Sequence, residues 1–101
     1  MSLNYQITIR QLKPLPEAIF EVKVSNGNAT VHTVSVNEKY YQSLTDRKIS
    51  VEELVRRSFE FLLAREPKRS ILRQFDLFDI NYYFPEYESE IAQHISKVKP
   101  L

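Results

Sequence analysis

Apolar and polar residues alternate from the start of the chain. Leu3, Tyr5, Ile7 and Ile9 are separated by Asn4, Gln6 and Thr8, the period of two that a strand with one face on a core requires. Pro14 and Pro16 interrupt the pattern and predict a loop, since each fixes φ and lacks the backbone donor a continuing sheet would use. Alternation resumes with Ala18, Phe20, Val22 and Val24 on one face and stops at Asn26-Gly27, a dipeptide that tolerates the positive φ angles of a type I′ hairpin turn. The returning strand has a parity conflict. Val31 faces opposite to Val34 and Val36 unless one residue is absorbed, so a β-bulge is predicted at or near His32-Thr33.

After Asn37, a residue suited to a helix N-cap, the period lengthens. Glu38 to Leu44 predict a short helix carrying Tyr40, Tyr41 and Leu44. A longer helix follows from Ser50 to about Arg65. Ser50 and Glu53 have capping-box spacing, Ile49 and Leu54 stand where a hydrophobic staple would form, and Glu52 with Arg56 and Glu53 with Arg57 are i,i+4 pairs. Val51, Leu54, Val55, Ser58 and Leu62 share one side, flanked by Phe59, Phe61 and Leu63. That arc is wider than a surface helix needs and marks a core helix. Pro67 ends it. Three further helical pieces are expected: Pro67 to about Phe75, Leu77 to about Tyr83 capped by Asp76, and Pro85 to about Lys97 with Tyr87, Ile91, Ile95 and Val98 as its stripe.

These elements predict an α+β fold in a single domain over residues 1–101. A three-stranded antiparallel meander over about 3–36 precedes helices over about 38–98, which pack on one face of it; residues 1–3 and 99–101 are expected to fray. Composition agrees with a folded chain: 43% hydrophobic and 27% charged residues in 101 are average for a globular domain. With no cysteine the chain forms neither disulfides nor thiolate metal sites, which suits a cytoplasmic setting. No run approaches the ~18 apolar residues of a membrane span, and the first residues do not read as a secretion signal.

Net charge is +1, giving no global pull towards nucleic acid or acidic membranes. Its distribution is uneven. Between Leu44 and Arg73, Arg47, Lys48, Arg56, Arg57, Arg65, Lys68, Arg69 and Arg73 outweigh Asp46, Glu52, Glu53, Glu60 and Glu66. Arg56, Arg57, Arg65, Lys68, Arg69 and Arg73 form the candidate nucleic-acid patch, although the glutamates cancel part of it. A second feature is aromatic: Tyr82, Tyr83, Phe84 and Tyr87 fall within six residues. Adjacent rings on a helical turn cannot all face one core, so these four are the candidate protein interface.

Catalytic chemistry finds little support. One glycine, Gly27, argues against phosphate-binding loops. His32 and His94 stand far apart with no second ligand at metal spacing, and Asp76 with Asp79 is explained by helix capping. Glu86, Glu88 and Glu90 read as a solvated face, and no nucleophile-elbow pattern is present. No catalytic residue, cofactor or metal is assigned.

Two resemblances add to this reading. The stretch from Ser50 to Leu63, with Arg65-Glu66-Pro67, Ser70-Ile71-Leu72 and Tyr83-Phe84-Pro85-Glu86-Tyr87, resembles a family of short bacterial proteins with no assigned activity, which implies a bacterial cytoplasmic origin and no site. The order Thr33–Val36, short helix, then Ser50 to Arg65 is similar to the strand-helix-helix plan of ribbon-helix-helix regulators and small antitoxins, which implies a dimer that inserts paired strands into the DNA major groove. The chain departs from that plan: the first helix is short, the strand is already paired in a hairpin, and it lacks outward side chains that read bases. The expected function is thus a non-enzymatic protein-interaction or regulatory module, self-associating or binding another protein. An antitoxin-like nucleic-acid regulator is the alternative.

Overall fold

In the computed structural model, residues 4–96 are described, and the alternating segments become strands: β1 (Gln6–Lys13), β2 (Glu17–Ser25) and β3 (Ala29–Asn37). A fourth strand, β4 (Gln74–Asp76), extends the sheet to the order β1-β2-β3-β4. β1 with β2 and β2 with β3 are antiparallel, whereas β3 with β4 is parallel. The expectation of three strands is therefore corrected to four, in a mostly antiparallel sheet. Four helices complete the α+β fold: α1 (Glu38–Thr45), α2 (Val51–Leu63), α3 (Ile80–Tyr83) and α4 (Tyr87–Ser96). Leu3, Lys97, Val98, Lys99 and the ends expected to fray lie outside the described residues.

Ala18, Phe20, Val22 and Val24 are buried on the inner face of β2, as the alternation requires. The expected bulge at His32-Thr33 is absent: β2 and β3 pair without a register break from Glu17↔Asn37 to Ser25↔Ala29. The parity conflict is resolved at Val31, which points outward while Thr30, His32, Val34 and Val36 take the buried positions. An unbroken ladder keeps every backbone hydrogen bond, and one exposed valine costs less than a disrupted pair. The sheet's register shift lies instead in β1, between Gln11 and Lys13. At the hairpin, Ser25 pairs with Ala29, leaving Asn26, Gly27 and Asn28 as a three-residue loop. Gly27 alone in it has positive φ, at 105°, so the type I′ expectation is also corrected, because that turn needs two such residues.

Asn37 caps α1 by accepting from the Lys39 and Tyr40 amides. Ser50 caps α2 by accepting from the Glu53 amide, and the Glu53 carboxylate pairs with Arg57 at 2.8 Å. Arg56 Nη1 donates to the Ile7 carbonyl, tying α2 to β1. Leu54, Val55, Ser58, Phe59, Phe61 and Leu62 are buried, and the Phe59 ring lies 5.4 Å from His32 and 6.0 Å from Phe75. The helix thus covers the inner sheet face, and sheet and helices share one apolar core.

The segment expected to be helical from Pro67 to Phe75 is a 3-10 turn, Lys68–Ser70, followed by extended chain that enters β4. Phe75 sits beside Val34 in the parallel ladder. Its packing comes from a strand some forty positions away, and three extended residues are too few to show a period of two in sequence. Asp76 and Asp79 form a complete capping box at the 3-10 turn Leu77–Asp79, which leads into α3.

The opposed environments of Val31 and Val34 set up a direct comparison. Val31→Thr should change stability by no more than about 0.5 kcal/mol, whereas Val34→Thr, which buries a hydroxyl in the core, should cost roughly 1–3 kcal/mol. Urea denaturation of both variants measures the difference, and equal costs would contradict the register.

Candidate functional site

The four residues of the candidate interface separate by depth. Tyr82 and Tyr83 are 73% and 63% exposed, while Tyr87 is fully buried. Its hydroxyl shares a hydrogen bond with Ser58 Oγ, and its ring meets Phe61 edge-on at 5.2 Å. Burial pushes the Tyr87 hydroxyl's pKa well up, partly opposed by the bond to Ser58. Tyr87 is therefore a core residue. Phe84 is half-buried, 5.8 Å from Phe61. Only Tyr82 and Tyr83 face outward, since α3 is four residues long and its inward position is taken by Ile80.

Two residues that the sequence reading did not select join them: Phe78, 42% exposed, and Leu72, 49% exposed. Phe78 stands edge-on between Tyr40 and Tyr82, with centroids 5.2 and 5.8 Å apart and ring planes near perpendicular. Such edge-to-face pairs hold rings in place while leaving one side exposed. Phe78 and Tyr82 are four apart, the helical spacing that could have drawn attention to them. Tyr40 is anchored beneath: its hydroxyl donates to Glu88 at 2.8 Å and accepts from Asn81 Nδ2 at 3.0 Å. Burial pushes its pKa well above the ordinary tyrosine value. The ring ladder thus rests on a neutral phenol bonded to α3 and α4.

On the other side of α3 a cleft of about 210 Å³ opens. It is lined by Leu62, Ile71, Leu72, Phe75, Ile80, Tyr83 and Phe84, with Glu66, Ser70 and Asp79 as its polar residues. Asp79 is already engaged, accepting from the Asp76 amide at 3.1 Å. Burial raises the Glu66 pKa above the ordinary carboxylate value.

The Leu72 wall is held by His32. The ring is fully buried; its Nδ1 bonds the Leu72 carbonyl at 2.8 Å and its Nε2 the Thr30 hydroxyl at 2.8 Å. A carbonyl only accepts, so Nδ1 carries the hydrogen, and in the neutral ring that burial favours Nε2 accepts from the Thr30 hydroxyl. Desolvation lowers the His32 pKa, with the bond to Leu72 opposing and Arg73 adding. Beside it, the Thr33 amide donates to the Arg73 carbonyl at 2.8 Å.

The candidate basic patch is dispersed by its own partners. Arg57 pairs with Glu53 and reaches the His94 carbonyl, and Arg56 is turned to Ile7. Arg65 lies 3.6 Å over the Phe61 ring and pairs with Glu86 at 3.0 Å and Glu90 at 3.6 Å. Glu86 is held below the ordinary carboxylate pKa by its own backbone amide and then by Arg65. Lys68 bonds the Asn26 side chain at the hairpin tip, while Arg69 and Arg73 are exposed. In the strand of the ribbon-helix-helix likeness, β3, residues Thr33 to Ser35 are paired with β2 on one edge and β4 on the other, so that stretch is not free to pair with a second chain.

Among the described residues no three His, Asp or Glu side chains gather into a possible metal site, and no helix is long and apolar enough to cross a membrane. Comparison with family models, curated proteins and solved structures returned no match.

Two measurements follow from this geometry. A histidine whose folded pKa is lowered contributes stability that is complete above the unfolded value of 6.5 and is lost as pH falls below it. Gln can make both His32 bonds without titrating, so the stability difference between wild type and His32→Gln should narrow from pH 7 to about pH 5.5, as read by denaturant midpoints. A gap independent of pH would contradict a buried neutral imidazole. Tyr87→Phe should cost about 1 kcal/mol of stability through the lost Ser58 bond, read in the same way.

Proposed function

We propose that this protein is a non-enzymatic, cytoplasmic protein-interaction module. Its docking surface is the corner formed by Leu72, Phe78, Tyr82 and Tyr83. The observation that carries this reading is coincidence: most of the large apolar side chains exposed among the described residues occur between positions 72 and 83, the same segment that walls the cleft. Exposed tyrosines combine apolar area with a polar tip and lose little entropy on binding, and they recur as anchors at protein interfaces. The core does not need them there. Tyr82 and Tyr83 give up little water in the free chain, so their contribution to folding is small and their contribution to a complex can be large.

Nucleic-acid binding receives less support, because Arg56, Arg57 and Arg65 are engaged within the chain and would have to break those bonds to meet phosphates. Lys68, Arg69 and Arg73 are the remaining part of that alternative.

The test uses the full chain. Tyr82→Ser with Tyr83→Ser should leave the unfolding midpoint within about 0.5 kcal/mol of wild type and abolish association, whether self-association by light scattering or retention of a partner protein on the immobilised chain. Val31→Ser, on the open face of the sheet, should leave association intact. A chain that is monomeric and retains no protein in a Tyr82- and Tyr83-dependent way refutes the proposal. Binding to DNA or RNA at low salt, lost when Lys68, Arg69 and Arg73 are changed to Glu, would favour the alternative.

A further inference from the structure

We propose that the cleft bounded by the end of α2, the Lys68–Ser70 turn and α3 receives an arginine side chain presented by the partner protein, with its guanidinium at Glu66 and its stem along Leu62, Ile71 and Phe84. This rests on the docking surface proposed above and names the chemistry that its cleft selects.

Size is the first argument. A volume of about 210 Å³ suits one large side chain and is too small for a helix or a strand, so the partner enters by a single residue. Wall chemistry is the second. Apolar sides with a carboxylate fit an amphipathic side chain whose stem is apolar and whose tip is cationic. A wholly apolar side chain would leave the carboxylate desolvated and unpaired, which is costly, and an anion would be repelled.

Glu66 is the group in want of a partner. Among the described residues it forms no ion pair, and burial is the one cause of its raised pKa, with no cation offsetting it. A guanidinium placed there would supply the missing charge. Arginine is favoured over lysine because two aromatic residues, Tyr83 and Phe84, line the cleft, and arginine stacks on rings while keeping its fork of donors for a carboxylate. The chain already uses this arrangement once, where Arg65 lies over Phe61 and pairs with Glu86 and Glu90.

The experiment titrates the full-length chain with a blocked tripeptide, acetyl-glycyl-arginyl-leucine amide, and with its citrulline counterpart, which keeps the shape and removes the charge. Binding is read from the backbone amide resonances of Ile71, Leu72 and Tyr83. The arginine peptide should move these signals and bind about tenfold or more tightly than the citrulline peptide, the scale of a charge-assisted hydrogen bond. Glu66→Gln, a half-buried position after the end of α2, should bring the two peptides to equal affinity while leaving the circular dichroism spectrum unchanged. Equal affinity in the wild type, shifts confined to other surfaces, or no shift from either peptide at millimolar concentration each overturn the assignment. The parent reading is judged separately: if association still depends on Tyr82 and Tyr83, only the arginine assignment falls, and if that dependence is also absent, the docking surface falls with it.

Discussion

The sheet has one apolar side, and helix α2 keeps that side from water. Phe20, Val22, Val24, Val34 and Val36 line the inner face of the two longest strands, and Leu54, Val55 and Phe59 descend on it from the helix. Neither surface is tenable alone, because a hairpin with a wet apolar face is marginal at best and a 13-residue helix owes most of its stability to the face it buries. Everything placed later in the chain is arranged around this contact. Phe59 meets both His32 of β3 and Phe75 of β4, so the helix that covers the hairpin also fixes where the last strand can lie.

His32 extends the same constraint to the surface. It occupies a core position on β3 that an aliphatic residue would fill more cheaply, and it is tolerated because both ring nitrogens are bonded. One of those bonds holds the Leu72 carbonyl, and the adjacent Thr33 amide holds the Arg73 carbonyl. The segment after the 3-10 turn is thereby pinned to the sheet edge with Ile71 buried and Leu72 outward. The cleft and its exposed rim are a consequence of that pinning. Their shape is set by backbone bonds to a rigid sheet, while their chemistry comes from side chains that the core leaves aside.

Charge follows a similar division. Arg57 reaches the His94 carbonyl of α4, and Arg65 pairs with Glu86 and Glu90, so these cations join the end of the chain to α2, while Arg69 and Arg73 stay exposed. Asp76 and Asp79 cap a turn. Glu66, half-buried beside the cleft, forms no ion pair among the described residues, and the proposed preference for arginine rests on it.

Much of this could be read along the chain, and the readable part is local. The period-two runs, the Asn37 and Ser50 caps, the wide apolar arc of α2 and the Asp76 cap depend on neighbours within a few positions, where steric and hydrogen-bonding rules act directly on adjacent residues. What depended on distant partners could not be read there. The face on which Val31 falls was decided by an uninterrupted ladder with β2, the extended form of Phe75 by pairing with a strand forty residues earlier, and the separation of buried Tyr87 from exposed Tyr82 by where α4 meets α2. In each case the deciding contact, a ladder of backbone bonds or the burial of a large side chain, was available only once the chain had folded back on itself.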